Sequence, residues 1–389
     1  MWCDESCSSG NPTRRVAMKH AVKSVMTATA VAGLCDGSVA KAQFGSQRPA
    51  ALRSSFRTSP TPRVVELCSP IRQRLGQHEN LSFGNLLHWL RIFGRSPRRA
   101  APLAPAARAV ISDLTDAERL QRRFAAPSSL VASPDGLRYL VVGPNKQAHQ
   151  AGRGTHAYQT LAVLGEIGMG CDTRVAAANR VGTIGDLLRD CTQNFQLREV
   201  RGVEPEWAIT AIALYMHAAT SWSNRWGEKL NFDDLAHYLA DRPLIQSACL
   251  GTHALYCQAV LLRLHRDHGL LSKSTAARLT GICSALGRRI VASQASDGSW
   301  AGDWSGEPPP GSEVWYPIHV TGHLMECQGV LPLDLQIPAE NQARAIRFLS
   351  DAVLNASEKA ISDAYCPYSH AGRVILDLAD QGEQLYGNY

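Results

Sequence analysis

The feature that most restricts the fold of this chain is a helical segment that it repeats. Gly154-Thr155-His156-Ala157-Tyr158-Gln159-Thr160-Leu161-Ala162-Val163-Leu164 aligns with Gly251-Thr252-His253-Ala254-Leu255-Tyr256-Cys257-Gln258-Ala259-Val260-Leu261, with seven of 11 positions identical. A third copy runs from Thr321-Gly322-His323 to Cys327-Gln328-Gly329-Val330-Leu331, and Ser369-His370-Ala371 begins a fourth. A unit that recurs at this scale is a helical hairpin that buries its apolar side only against its neighbours. The chain is therefore expected to be all-α, built from stacked hairpins.

Local signals agree. Helices are predicted over Thr155 to Gly165, from Glu204 through the apolar run ending at Met216, and over Thr252 to His265, Ser274 to Gln294, Val314 to Leu331, Ala339 to Leu354 and His370 to Leu385. Glu204-Pro205-Glu206 suits a first turn, where proline loses no hydrogen bond and acids meet the positive end of the helix dipole. Thr115 with Glu118 reads as a capping box. Asn231-Phe232-Asp233-Asp234 reads as a helix cap. One short strand is expected at Arg138 to Val142.

The N-terminal third reads differently. Met18-Lys19-His20-Ala21-Val22-Lys23 is a basic start, Val25 to Leu34 is small and apolar, and Ala40-Lys41-Ala42 is a cleavage signal before Gln43. That order is what a secretory leader requires, so export to a periplasm or beyond the cell is expected, from a start at Met18. Residues 43–110 are rich in Arg, Pro and Ser and read as a disordered basic linker, interrupted by an amphipathic piece from Leu81 to Phe93. The domains expected are thus 1–42, 43–110 and 111–389. The net charge of +6 is concentrated in the linker, and the folded part has no Lys/Arg stripe with interleaved aromatics. Nucleic-acid binding is not expected. No apolar run reaches the length of a membrane span. Eight of the 11 cysteines follow the cleavage signal; in an exported chain they form disulfides or remain as buried thiols.

The most specific motif lies at 286–304. Leu286-Gly287-Arg288-Arg289-Ile290-Val291-Ala292-Ser293-Gln294 leads through Ala295-Ser296-Asp297 to Gly298-Ser299-Trp300 and Asp303-Trp304. It resembles the QW repeat of squalene and hopene cyclases, within the superfamily of terpenoid cyclases and protein prenyltransferases. The resemblance covers about residues 150–385 and implies an α/α toroid. Chemistry does not carry over. The Asp-x-Asp-Asp acid of the cyclases has only Asn231-Phe232-Asp233-Asp234 as a counterpart, no Asp-Asp-x-x-Asp motif is present, and the zinc pattern of the prenyltransferases is unmatched.

In such a toroid the repeated histidines would line a central cavity. His156, His253 and His319 are candidate ligand-binding residues, with Trp300 and Asp303 of the QW turn, for a small-molecule, lipid or glycan ligand. His319, His323 and Cys327 fall at i, i+4 and i+8 on one helical face. Imidazole and thiolate suit zinc, so these three are the candidate metal ligands. His323 and Glu326 are the candidate catalytic pair, acting by acid–base transfer or on a zinc-bound water. The same residues also fit a metal-free polar pocket, or histidines that bond locally at helix starts. A non-catalytic scaffold and a glycan-active barrel are further readings. The last needs two carboxylates about 5–9.5 Å apart, for which Glu206, Asp303 and Glu326 are the acids to inspect. The aromatic cluster Ser221 to Gly227 is a weaker ligand-contact candidate.

Overall fold

Two kinds of helix alternate along the chain, buried all round or on one side only. The computed structural model describes residues 46–95, 103–125, 128–141, 155–197, 204–306 and 315–386. The leader expected at Met18 lies outside the described residues. In chain order the helices are α1 (Pro62–Glu66), α2 (Cys68–Leu75), α3 (Phe83–Phe93), α4 (Ala104–Leu114), α5 (Ala117–Phe124), α6 (Gln159–Glu166), α7 (Ile184–Asn194), α8 (Pro205–Met216), α9 (Phe232–Asp241), α10 (Thr252–His268), α11 (Lys273–Ala292), α12 (Trp315–Val330), α13 (Ala339–Asn355), α14 (Glu358–Asp363) and α15 (Tyr365–Tyr386). The fold is mainly helical, as the repeat predicts. Among the described residues no helix is long and apolar enough to cross a membrane.

Six helices pack in succession: α3 on α6, α6 on α8, α8 on α10, α10 on α12, α12 on α15, and α15 back on α3. These are the helices with little polar face. Every residue of α3 and of α8 is buried. The others lie behind them: α7 on α6 and α8, α9 on α8 and α10, α11 on α10, α13 on α12 and α15, α2 on α15, and α4 on α3. They are one-sided. Helix α11 buries Thr275, Ala276, Leu279, Cys283, Leu286 and Ile290, one stripe at helical spacing, and leaves the rest to water.

Caps set the boundaries. Ser82 accepts from the Asn85 N–H to start α3, and Ser272 accepts from Thr275 to start α11. Asn231 and Asp234 close a reciprocal box on α9, so this tetrapeptide caps as its sequence predicts. The cap of α5 is Asp116, which accepts from Glu118 and Arg119; Thr115 instead bonds back to the Ile111 carbonyl. Strands are more numerous than expected. Antiparallel hairpins pair β1 (Leu130–Ser133) with β2 (Gly136–Tyr139), β3 (Arg174–Ala177) with β4 (Arg180–Thr183), and β5 (Trp222–Ser223) with β6 (Lys229–Leu230). Two to four residues are too few for an alternating pattern to stand out in sequence.

The segment 43–110 departs most from expectation. It carries α1, α2, α3 and the start of α4, and the described part lies in the same compact unit as the rest, Gln43 to Tyr389. Its arginines serve as docking contacts. Arg57 donates to the Leu333 carbonyl at 2.7 Å, Arg63 pairs with Asp351 at 3.0 Å, and Arg74 donates to the Ala356 carbonyl at 2.6 Å. Phe56 is buried beside Gly329, and the Ser55 N–H donates to the Gly329 carbonyl. A composition that reads as disorder is here a set of cations matched to the acids and helix-end carbonyls of the C-terminal half.

The QW-like turn is a structural seam. Gly298 has φ +94°, a left-handed conformation that glycine adopts freely. Gln294 donates to the carbonyls of Gly298 and Asn341, both at 3.0 Å, tying the turn to α13. Trp300 is buried, with its indole N–H on the Ile290 carbonyl at 2.7 Å and its backbone N–H on Thr321 Oγ1.

Candidate functional site

Five of the six successive helices, or the residues just before them, bring an imidazole to one place. His156 precedes α6, His253 is on α10, His319 and His323 are on α12, His370 is on α15, and His88 is on α3. Their ring centres form a chain: His156 to His253 at 4.9 Å, His253 to His323 at 5.4 Å, His323 to His370 at 3.7 Å, and His370 to His88 at 4.8 Å. His319 joins it 4.6 Å from His323. The repeated histidines therefore meet, although they enter at different points: His156 before α6, His253 in the first turn of α10, His370 in the second turn of α15 and His323 midway along α12.

Two carboxylates orient the imidazoles. Glu204, the residue before α8, places Oε2 2.9 Å from His156 Nδ1 and 3.2 Å from His253 Nδ1. Burial pushes its carboxyl upward, but the two imidazole hydrogen bonds outweigh that and hold it below the ordinary range. Glu326 places Oε1 2.8 Å from His370 Nδ1. Both arrangements engage Nδ1 and leave the far ring nitrogen, Nε2, for other work. Among the described residues, the buried Nε2 atoms of His323 and His370 have no hydrogen-bond partner. Burial holds His88, His319, His323 and His370 neutral. It lowers His88 to about 3 and His319 to about 4, helped by Arg91 and His253 respectively. It drives His323 and His370 well below the usual imidazole value. A neutral imidazole is the form that binds a metal or takes a proton.

An ionic lattice lies against this chain. Arg91 on α3 makes a bidentate pair with Glu166 on α6, at 2.9 and 3.2 Å, and reaches Glu326 Oε2 at 3.2 Å. Arg373 on α15 lies 3.3 Å from Glu166 and 3.6 Å from Glu326. Tyr256 donates to Glu166 at 2.6 Å, and the Arg91 guanidinium lies 5.3 Å from the rings of both Tyr256 and Trp207. Burial opposes ionisation of Glu166, but Arg91 and Arg373 prevail and hold it at about 2. The sign of its effect on stability follows. A depressed carboxyl stabilises the fold above its ordinary value of 4.5, and that contribution is lost as pH falls from 4.5 through about 2. Urea midpoints measured from pH 5 downward should decline over this window, and Glu166→Gln should flatten the decline. An equally steep decline in the variant would show that other groups dominate acid lability.

Among the described residues, four sets bring three ligand atoms within 4.8 Å of one another: Cys249, His253 and His323; His88, Cys366 and His370; His156, Glu204 and His253; and His323, Glu326 and His370. The trio expected from helical spacing, His319, His323 and Cys327, is not among them. Cys327 points elsewhere, with Sγ 3.6 Å from the Thr252 carbonyl. Spacing of i, i+4 and i+8 drifts around a helix by about 80° over eight residues at 3.6 per turn, and here the drift turns Cys327 toward α10. The cysteines that do meet the imidazoles are Cys249 and Cys366, each four residues before a repeated histidine. The eight described cysteines are all free thiols.

The remaining candidates are dispersed. Trp300 spends its polar groups on Ile290 and Thr321, and Asp303 is exposed in a 3-10 turn. Glu206 is buried and pairs with Arg242 at 3.2 Å. Glu206, Asp303 and Glu326 thus stand in three different surroundings. Trp222 packs on Phe232, whereas Trp226 is half exposed. A surface cavity of about 570 Å³, lined by residues including Gln73, Gln77, Asn85 and Glu358, shares no residue with the imidazole chain. The residues that spacing alone leaves out are His88, Arg91, Glu166, Glu204, Cys249, Cys366 and Arg373. For the two cysteines the signal is present, four residues before His253 and His370. Comparison with family models, with curated proteins and with solved structures gives no match for this chain.

Proposed function

We propose that this chain is an α/α toroid that holds a transition-metal ion of the zinc class at its centre and acts on a small ligand there. The toroid reading is supported by the six helices that pack in succession with the last against the first, by the layer of one-sided helices behind them, and by the Gly298–Trp300 seam. The metal reading rests on one observation: Cys249, His253 and His323 bring a thiol and two imidazoles within 4.8 Å. Glu204 on His253 Nδ1 completes the carboxylate–imidazole pairing that orients a metal-binding histidine. Ligands at about 2.0–2.3 Å from a tetrahedral ion stand about 3.4 Å apart, so binding draws the trio inward.

The backbone around Cys249 fits a built site. Cys249, Leu250 and Gly251 take φ of +50°, +57° and +86° in succession. Two consecutive non-glycine residues in the left-handed region are costly and persist where the surroundings enforce them. The effect of the turn is to set Cys249 against the start of α10.

Three protein ligands leave a fourth position for water or a ligand atom, which the ion would polarise as a Lewis acid. His319 stands beside His323, ring centres 4.6 Å apart, as a further polar contact for the ligand. Glu326, the expected base, instead has both oxygens engaged by His370, Arg91 and Arg373, and is best read as an orienting anion. Trp207 lies 5.2 Å from His253 and gives the centre an apolar wall suited to an apolar or mixed ligand. Export through a leader beginning at Met18 belongs to the same proposal.

The test is metal content of the full-length chain, purified without chelator and measured by elemental analysis beside His253→Ala. Zinc at one equivalent or more, reduced in the variant, is the expected result. Protein that stays metal-free after incubation with zinc would sink the metal reading and leave a polar pocket or a scaffold.

A further inference from the structure

The arrangement around His253 is present a second time. We propose that the chain holds a second ion of the same class on His88, Cys366 and His370, so that the centre is binuclear. This rests on the metal reading above.

The sequence carries the duplication. Each repeated histidine has a residue four positions before it: Gly152 before His156, Cys249 before His253, His319 before His323, and Cys366 before His370. Only the second and fourth copies carry a thiol there, Cys366 one helical turn before His370 on α15 and Cys249 in the left-handed turn that leads into α10. Two copies, and not four, can therefore supply a Cys/His pair.

The packing repeats as well. His253 on α10 is oriented through Nδ1 by Glu204, before α8, and faces His323 on α12. His370 on α15 is oriented through Nδ1 by Glu326, on α12, and faces His88 on α3. Each half thus draws its carboxylate from the preceding helix of the succession, its Cys/His pair from the middle one, and its second imidazole from the next. In each half the three ligand atoms lie within 4.8 Å. The buried Nε2 of His370 has no partner among the described residues, which a metal ion would supply. The halves adjoin where the rings of His323 and His370 lie 3.7 Å apart, tilted by 37°. Two ions in such neighbouring sites can hold one ligand from both sides.

The halves differ in charge, and this ranks them. Glu204 serves His156 and His253, whereas Glu326 also carries the guanidiniums of Arg91 and Arg373. Part of its negative charge is already compensated, and two cations stand near the second ion. The Cys366 site therefore binds more weakly than the Cys249 site.

The experiment is a stoichiometric titration of the full-length chain with zinc and, separately, with cobalt(II), whose bond to a thiolate gives a charge-transfer band. The proposal expects two equivalents in the wild type, entering in two steps. One equivalent should remain in Cys366→Ala, one in Cys249→Ala, and none in the double variant. The weaker step should be the one missing from Cys366→Ala, with the cobalt band reduced to about half. His88→Gln, which removes a ligand with little change of volume, should lose the same step and decides the matter if Cys366→Ala does not fold. One equivalent in the wild type, kept by Cys366→Ala and His88→Gln but lost in Cys249→Ala, would overturn the second ion and leave the first intact. No binding in any form would remove both.

Discussion

Arg91→Ala is expected to destabilise the fold by about 3–5 kcal/mol, the cost of breaking a buried ion pair from one side. Arg91 belongs to the segment that composition marks as a linker, yet its side chain is nearly inaccessible and contacts Glu166 and Glu326 together. Removing it leaves Arg373 as the one guanidinium in contact with both buried carboxylates among the described residues, and also removes the guanidinium packed between Trp207 and Tyr256. The loss is larger than for a surface pair, where solvent screens the charge and the typical contribution is about 0–1 kcal/mol. Arg63→Ala supplies that contrast, since both Arg63 and Asp351 are more than half exposed. A double-mutant cycle separates the pair from its surroundings. Glu166→Gln removes one stranded anion, so Arg91→Ala with Glu166→Gln should cost less than the two single changes added. Urea unfolding measures all four. If Arg91→Ala proves no more damaging than Arg63→Ala, α3 does not close the lattice in solution.

The same residue shows where sequence reasoning stops. The helical class, the run of helices from α8 to α13 and the meeting of His156, His253 and His323 are all legible, because each depends on local periodicity or on a repeated string. Helix α3 is legible too, as an apolar stretch from Leu81 to Phe93. Its destination is not. Nothing in Phe83–Phe93 states that Arg91 meets a carboxylate 75 positions later in the chain, or that His88 meets His370. The Arg- and Pro-rich residues flanking α3 mimic a solvated linker, since composition counts cations without knowing whether acids and carbonyls await them.

The metal trio fails for a related reason. His319, His323 and Cys327 satisfy a spacing on one helix, but a buried helix has neighbours on every side, and one-face spacing does not say which neighbour each residue meets. Cys249 and Cys366 were equally visible at four residues before a repeated histidine. The stronger pattern, Cys or His followed by the repeated His, emerges only when all four copies are laid against the three-dimensional succession. The short β-hairpins, by contrast, are too brief for any periodic signal. Their positions follow from turns such as that at Gly136, where a side chain would meet the Asp186 carbonyl oxygen.

Trp300→Ala should cost about 3–5 kcal/mol, the range for deleting a fully buried large aromatic whose cavity cannot collapse. Its ring fills the seam after α11, and its indole N–H is the partner of the Ile290 carbonyl, so the variant leaves both a void and an unpaired acceptor. The seam has a second fixed point. A Cβ at Gly298 would lie 2.5 Å from the Arg344 carbonyl oxygen, and φ there is +94°. Gly298→Ala therefore meets both a backbone clash and a disfavoured conformation, and should cost about 2 kcal/mol or more. Trp226, half exposed, is the control for aromatic loss without burial, and Trp226→Ala should stay within about 0.5 kcal/mol of the parent. Thermal or urea unfolding of the three variants tests the ordering. The expected rank, Trp300 above Gly298 above Trp226, follows if the turn pins α11 to α13 and α12. Equal, small effects at Trp300 and Trp226 would mean that the turn only caps α11, and would take away one support of the toroid reading.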